Sequence, residues 1–454
     1  MMNIHFISIG GTVMHNLAIA LHKKGYTVTG SDDEIYEPAL SRLMDMNLLP
    51  DRMGWDTDRI HEGLDAVILG MKAGKTNKEL KKSQELGIRV YSLSEYLYEH
   101  SKNKKRVVIG GSHGKTTITA MVLHVLKENK KDFDYMVSSK ISCFDDQVKL
   151  TDDAPFIILE GDEYLSSKID HTPKLHQYNP HITLLSGISW DHMSFFRTFK
   201  SYKKQFQKFL QIATGGGKVF YFDGDPVLGN VVDKSHWSLM KIPYGEHAHI
   251  IDNNRFFLET KYGTIPLNMI GQHNMQNIQG AKLICLDLGI EEHQFYDAIQ
   301  SFEGIERRQQ LLADGKGRAV YLDYAHTPST VEATISAFKQ TYSGHKLVTC
   351  LELHTYSSLN PEYLPLYKGS LKESDQAMVY YNPSVVKSKK LPALDPDEVK
   401  KYFEKDELVV YTDSSQLARD LKQLDDNTFV LLLMTSGNFS GLDLNKLAVE
   451  VANA

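Results

Sequence analysis

RVVIGGSHGKTTIT, residues 106–119, decides the fold. An apolar run, Val107 to Ile109, enters a glycine-rich turn. The turn delivers Lys115 and two threonines into a helix predicted over Thr119 to Lys127. Strand, turn and helix in that order build a phosphate cradle. Glycines let backbone N–H groups approach phosphate oxygens, and the helix N-terminus favours the anion. Lys115 neutralises charge, and the Thr116 hydroxyl can hold a magnesium ion. The general pattern has a glycine, four residues, then Gly-Lys. Here Ile109 stands at the first position, and the spacing is the shorter Gly111-Ser112-His113-Gly114-Lys115-Thr116-Thr117. The expected ligand is a nucleoside triphosphate, ATP.

Toward the amino terminus the chain alternates between strand and helix. Strands are predicted over Ile4–Ile9, Tyr26–Thr29, Ala66–Leu69 and Arg89–Tyr91, and helices over Met14–Lys24 and Asn77–Leu86. This alternation predicts a parallel, Rossmann-like sheet. Its first turn, Gly10-Gly11-Thr12, has the form of a dinucleotide-binding turn, with Ser8 where a first glycine is usual. Asp32 follows the second strand, where a carboxylate can accept from a ribose or a base. The basic stretch Lys102 to Arg106 reads as a solvated linker.

Toward the carboxyl terminus, Glu160-Gly161-Asp162-Glu163 follows a strand at Phe156–Leu159, placed to hold magnesium directly or through water. Asp191-His192 follows Ile182–Leu185, and a neutral imidazole there is a further candidate metal ligand. A helix opens after Gly271 and runs to about Asp287, with Asn274 and Asn277 one turn apart. Their carboxamides can read an adenine edge, unless Asn274 is a helix cap. Arg307-Arg308 can reach a phosphate. The last third alternates again, through strands at Ala319–Asp323, Lys346–Leu351, Ala377–Tyr381, Leu408–Tyr411 and Phe429–Met434. Asp323-Tyr324-Ala325-His326-Thr327-Pro328 sets an acid and an imidazole at a strand's carboxyl end. The small-residue loop Met434–Gly441, containing Ser436, can approach a ligand closely.

The chain has 454 residues and a formal net charge of −6 without blocks of like charge. That argues against a general nucleic-acid surface and suits small anions held by local basic groups. Cys143, Cys285 and Cys350 are too scattered for a disulfide framework or a metal site, which suggests a reducing compartment. No apolar run approaches the roughly 20 residues a bilayer span needs. The expectation is a cytoplasmic protein without a membrane anchor.

Taken in order, these motifs resemble the Mur ligase family over nearly the whole length. The matching residues are Gly111-x-x-Gly114-Lys115-Thr116-Thr117, Glu160-x-Asp162-Glu163, Asp191-His192, Gly271-x-His273-Asn274-x-x-Asn277, Arg308 and Asp323-Tyr324-Ala325-His326-x-Pro328. The resemblance implies an α/β protein of three domains. They are a Rossmann-like UDP-sugar domain (1–101), a central ATP-binding ligase domain with a mixed sheet (102–311) and a Rossmann-like acceptor domain (312–454). The implied reaction is ATP-driven amide formation. A carboxylate attacks the γ-phosphate to give an acyl phosphate, and an amine then displaces phosphate.

By the same resemblance, Gly111 to Thr117, Asn277, Arg308 and Asp323 serve ATP, and Thr116, Glu160 and His192 serve Mg²⁺. Lys115, Glu160, His192 and Arg308 form the catalytic set. Gly10, Gly11, Thr12, Asp32 and Asn77 serve the UDP-sugar, and His326, His354 and Ser436 the acceptor. Gly30-Ser31-Asp32 with Tyr36 and Pro38 resembles the branch acting on UDP-N-acetylmuramate. The implied acceptor is an L-Ala-γ-D-Glu-meso-diaminopimelate tripeptide, with L-alanine as the alternative. The expected assembly is a monomer or weak homo-oligomer. The chain departs from the family at Gly187, where an asparagine is usual, and at Ser189, where a glutamate is common. Thr355 and Ser358 stand where relatives have arginine. These departures motivate a second reading, a non-catalytic protein that binds a UDP-sugar or ATP as a sensor.

Overall fold

The computed structural model describes residues 2–141, 144–193, 195–235, 238–252, 255–424 and 428–453. Cys143 lies outside the described residues. The chain forms two compact units. The first comprises Met1–Ile188, Lys203–Gly245 and Gly280–Ala298, and the second Ser189–Tyr202, Glu246–Gln279 and Ile299–Ala454.

The first unit holds two sheets. A four-stranded parallel sheet runs in the order Thr27–Ser31, Asn3–Ile7, Ala66–Leu69, Val90–Ser92. Ala66–Leu69 is buried along its whole length, as expected of a strand with both faces covered. Ser92 and Glu95 form a reciprocal capping box that starts the helix Leu93–His100. The second sheet has seven strands, in the order Met240–Tyr244, Lys218–Phe222, Ile182–Leu185, Lys105–Gly110, Phe156–Gly161, Asp134–Met136, Val148–Lys149. All neighbours are parallel except the final pair. The strand leading to the phosphate loop therefore lies at the centre, flanked by the strands carrying Glu160 and Leu185.

The second unit carries a six-stranded sheet, ordered Gln310–Gly315, Arg318–Asp323, Phe429–Met434, Lys346–Leu353, Gln376–Tyr381, Val409–Tyr411. Only the first edge strand is antiparallel. Residues alternate between its faces. Val430, Leu432 and Met434 pack with Val331, Ile335 and Phe338, while Phe429, Leu431 and Leu433 pack with Leu417, Leu421, Leu447 and Val451. This is the doubly wound arrangement the alternating pattern predicts.

Several expectations are corrected. The helix expected from Thr119 begins at Lys115 and ends at Glu128, because Gly114 caps it in the left-handed conformation. Glu160 is the fifth residue of its strand rather than the first of a loop. The supposed linker contributes buried charge. Lys104 Nζ lies 2.5 Å from Asp134 Oδ2, and Arg106 donates to the carbonyls of Tyr178 and Ser101 at 2.8 Å. A three-stranded antiparallel sheet, His249–Asp252, Arg255–Thr260 and Gly263–Pro266, was not anticipated. Cys285 and Cys350 are buried free thiols, both pushed up by burial. Among the described residues no helix is long and apolar enough to cross a membrane.

Candidate active site

The phosphate loop is shaped by close approach. Gly111 has φ +130°, and a Cβ there would stand 2.9 Å from the Ser186 backbone nitrogen. Ser112 N–H donates to Gly187 O at 2.9 Å, and Ser186 N–H to Gly110 O at 3.1 Å, stitching the loop to the end of the neighbouring strand. Gly187 has φ +149°, and its hydrogen faces the His113 ring. A Cβ would come within 2.7 Å of His113 Cε1. The lack of a side chain at 187 thus makes room for this imidazole. Burial, and then the Lys115 charge, hold His113 below the usual histidine range, so the ring is neutral at pH 7. Its Nδ1 is buried without a partner.

Lys115 Nζ donates to Gly111 O at 2.6 Å and to Glu163 Oε2 at 2.9 Å. Burial works against the ammonium, but the carboxylates of Glu163, Asp162 and Glu160 outweigh it and keep the lysine charged. Thr116 Oγ1 donates to Glu160 Oε1 at 2.7 Å, and Ser138 N–H to Glu160 Oε2 at 2.8 Å. Burial and the nearby Asp162 charge push the Glu160 carboxyl up. Lys174 Nζ holds Asp162 at 3.0 Å. The Glu160 carboxylate and the Thr116 hydroxyl, side by side at the phosphate loop, are oxygen donors of the kind a magnesium ion takes. Among the described residues no group of three or more His, Cys, Asp or Glu could hold an ion alone. Magnesium needs only one or two carboxylates when phosphates and water complete its shell.

At the first turn the structure gathers Gly10, Gly11, Thr12 and Asp32. Ser8 takes φ +72°, the left-handed conformation that a first glycine would provide without strain. Gly10 N–H donates to Asp32 Oδ2 at 2.8 Å, and Lys72 Nζ donates to Asp32 Oδ1 at 3.0 Å. Asp32 is fully buried, and burial pushes its carboxyl up. It braces the turn. Thr12 is exposed at the start of the helix Thr12–Lys23. Asn77 Oδ1 is spent as an N-cap, accepting from Leu80 N–H at 2.9 Å. Sequence reading missed Lys72; its signal is a cation just past the carboxyl end of Ala66–Leu69.

The second unit gathers another set. Asp323 accepts from the N–H groups of Gln309 at 2.9 Å and Ala325 at 2.7 Å. Burial pushes its carboxyl up, opposed first by Arg308. The Arg308 guanidinium lies 5.0 Å from the Tyr324 ring centroid. Arg307, by contrast, is spent on the carbonyls of Thr435 and Gly437. His326 Nδ1 lies 2.8 Å from Tyr324 O, and burial lowers its pKa although Asp191 opposes that. His192 sits at φ +56°, its Nε2 3.9 Å from Asp191. Asn274 is inside its helix and not a cap: its Nδ2 donates to Ile270 O and Gln309 Oε1, and Asn277 Nδ2 donates to Asn274 Oδ1 at 3.1 Å. His354 Nδ1 lies 3.6 Å from Glu352, and Ser436 Oγ is buried without a partner.

Residues 3–105 match the Mur ligase family, catalytic domain; residues 109–285 match the Mur ligase middle domain; and residues 307–437 match the Mur ligase, glutamate ligase domain. The UDP-N-acetylmuramate–L-alanine ligase of Persephonella marina is 28% identical over 363 residues, covering 78% of this chain and 76% of that protein. The Haemophilus influenzae UDP-N-acetylmuramate–L-alanyl-γ-D-glutamyl-meso-2,6-diaminoheptandioate ligase is 27% identical over 355 residues, covering 76% and 78%. The crystal structure of a murein peptide ligase from Psychrobacter arcticus superposes with a TM-score of 0.68 at 20% identity, covering 100% of this chain and 99% of that one. With all three of its domains matched in order, the chain belongs to the Mur ligase family of ATP-dependent carbon–nitrogen ligases.

Proposed function

We propose that this ligase activates the carboxylate of UDP-N-acetylmuramate with ATP and joins it to the L-Ala-γ-D-Glu-meso-diaminopimelate tripeptide. The division into domains at 1–101, 102–311 and 312–454 belongs to the same proposal. The observation that carries it is the Lys115 ammonium, kept charged beside the Thr116–Glu160 pair at the start of a helix. Gly111, Ser112, His113, Gly114 and Thr117 offer backbone to the ATP phosphates, and Lys115 exchanges Glu163 for a phosphate oxygen. A bound magnesium supplies charge neutralisation on those phosphates. Thr116, Glu160 and His192 are the residues that would hold it. Arg308, whose partner Arg307 is spent on carbonyls, steadies the γ-phosphate; Asn277 reads adenine, and Asp323 serves the ribose side.

The Gly10-Gly11-Thr12 turn braced by Asp32, with Asn77, receives the UDP-sugar. His326, His354 and Ser436 face the acceptor. The sugar carboxylate attacks the γ-phosphorus and ADP leaves. The acceptor amine then attacks the acyl carbon, and phosphate departs from a tetrahedral intermediate. Relatives named for L-alanine and for the tripeptide both support the sugar half of this reading. L-alanine is the second reading for the acceptor, favoured by the segment Leu353 to Ser357. The test uses UDP-N-acetylmuramate labelled with ¹⁸O in its carboxylate. The proposal expects one labelled oxygen in each inorganic phosphate released. Unlabelled phosphate would refute the acyl-phosphate route.

A further inference from the structure

The Gly10-Gly11-Thr12 turn and the Thr116–Glu160 pair belong to different sheets of the first unit, yet a continuous string of hydrogen bonds joins them. It starts at the Gly11 carbonyl, which accepts the His15 backbone N–H at 3.0 Å and lies 2.9 Å from His15 Nδ1. A proton on Nδ1 leaves Nε2 as an acceptor, and Asn16 Nδ2 donates to it at 3.0 Å. Burial holds His15 below the usual histidine range, so this neutral ring is the form present at pH 7. Asn16 Nδ2 also donates to Gln147 Oε1 at 2.6 Å, and Gln147 N–H donates back to Asn16 Oδ1 at 3.1 Å. Gln147 Nε2 donates to Ser138 O at 3.2 Å. Ser138 N–H then holds Glu160 Oε2, while Glu160 Oε1 accepts from Thr116. His15, Asn16, Gln147, Thr116 and Glu160 are all buried.

Buried amides stabilise a fold only when their bonds are all made, and unlike apolar packing they fix direction. Here both ends of the string are fixed in direction. The Gly11 carbonyl shares a peptide plane with the Thr12 N–H, so holding the carbonyl aims that N–H out of the helix N-terminus, where an anion is received. At the other end, Ser138 N–H sets which way the Glu160 carboxylate points. The middle is clamped as well. Arg42 Nη1 donates to Asn16 Oδ1 at 2.7 Å, and Arg42 Nη2 donates to Asp145 O at 3.1 Å and Asp146 Oδ1 at 2.6 Å. The reaction scheme above uses none of Asn16, Arg42, Ser138 or Gln147.

We propose that Gln147, with Asn16, is a positioning residue that couples the two seats: it holds the Thr12 N–H and the Glu160 carboxylate in receiving orientation together, so that the sugar nucleotide and the magnesium nucleotide tighten each other's binding. This rests on the ligase reading above and adds the residues through which its first two substrates bind as a pair. Whichever ligand arrives first orders the shared string, and the second meets it already ordered. The factor must be the same in either order of addition.

The test is calorimetry of the whole chain, titrating UDP-N-acetylmuramate with and without saturating Mg²⁺ and ADP. ADP lacks the γ-phosphate, so the reacting groups of the two ligands do not meet. In wild type the Kd for UDP-N-acetylmuramate should fall about tenfold when magnesium and ADP are present, inside the usual range of such couplings. Gln147→Met nearly keeps the volume and removes both side-chain links. It should bind each ligand alone within about twofold of wild type, yet show a gain below about twofold. Adding Asn16→Ala to Gln147→Met should remove no further coupling, because both cut one string. A gain undiminished in Gln147→Met would overturn the inference. So would a wild type that binds both ligands independently, or weakened binding of each ligand alone with the gain intact, which marks a merely structural glutamine. Should Gln147→Met fail to fold, Gln147→Asn decides, since the shorter side chain cannot span both Asn16 and Ser138. Failure of wild type to bind UDP-N-acetylmuramate at all would refute the ligase reading itself, a result distinct from independent binding of both ligands.

Discussion

Gly187→Ala probes the close approach of backbone and imidazole inside the phosphate site. At φ +149° an L side chain is strained by about 1–3 kcal/mol. The new Cβ would also stand 2.7 Å from His113 Cε1 and 3.1 Å from Nε2, so the ring must move. Overpacking of this kind costs about 1–3 kcal/mol. Part of the clash is relieved by the movement, so the expected loss of stability is about 2–4 kcal/mol. His113 is two residues before Lys115 in the cradle. A shifted ring therefore displaces the loop that meets the phosphates, and ATP affinity should fall about tenfold, equivalent to about 1.4 kcal/mol. Urea unfolding gives the stability change from the midpoint at constant m, and calorimetry with ATP gives the affinity. His113→Ala in the same chain removes the clash but not the backbone strain, so the double variant should lose less than the sum of the singles. Stability within about 0.5 kcal/mol of wild type, with unchanged ATP affinity, would refute the account of this glycine.

Three further outcomes follow from the buried charges. Glu160 is pushed up by burial and by Asp162. Its stabilising protonated form is present below the ordinary glutamate range and is lost as pH rises through the folded value. Glu160→Gln copies that protonated form, so at pH 7 the ligand-free variant should unfold no earlier than wild type while turnover falls about 10²–10³-fold. Lys115→Ala should abolish turnover and leave UDP-sugar affinity within about twofold, because Lys115 serves only the phosphates; a parallel loss of UDP-sugar binding by calorimetry would contradict this. Lys104→Ala leaves the buried Asp134 carboxylate with Thr151 and with His100 Nε2 3.9 Å away, and should cost about 3–5 kcal/mol in urea unfolding. A loss below about 1 kcal/mol would return that stretch to the solvated linker its composition suggests.

Elements buried on both faces were legible in the sequence. Ala66–Leu69, Ile182–Leu185 and Phe429–Met434 begin and end where their apolar runs do. Elements set by tertiary contacts were not. The helix from Lys115 opens on polar and β-branched residues with weak helical preference, and its start is fixed by Gly114 and the loop stitched to Ser186 and Gly187. Lys104 and Arg106 look solvated until the distant Asp134 and Tyr178 are folded against them. The Arg255–Thr260 strand does alternate, with Phe256 and Leu258 buried, but an exposed antiparallel sheet gives a faint signal. The strand expected to stop at Leu351 runs two residues further, to Leu353, and so takes in Glu352. The phosphate loop was legible because its chemistry demands particular residue types at fixed spacing. The acceptor end was less so, because there the contacts are made by loops distant in sequence.

The central claim is that the chain spends ATP to join UDP-N-acetylmuramate to a peptide amine. The most direct test is ADP release with ATP, Mg²⁺ and UDP-N-acetylmuramate, comparing the L-Ala-γ-D-Glu-meso-diaminopimelate tripeptide with L-alanine and with no acceptor. The account predicts turnover that requires both the sugar nucleotide and the tripeptide. Turnover with L-alanine alone would transfer the enzyme to the second acceptor reading. ADP release that ignores UDP-N-acetylmuramate, or none under any of these conditions, would contradict the account.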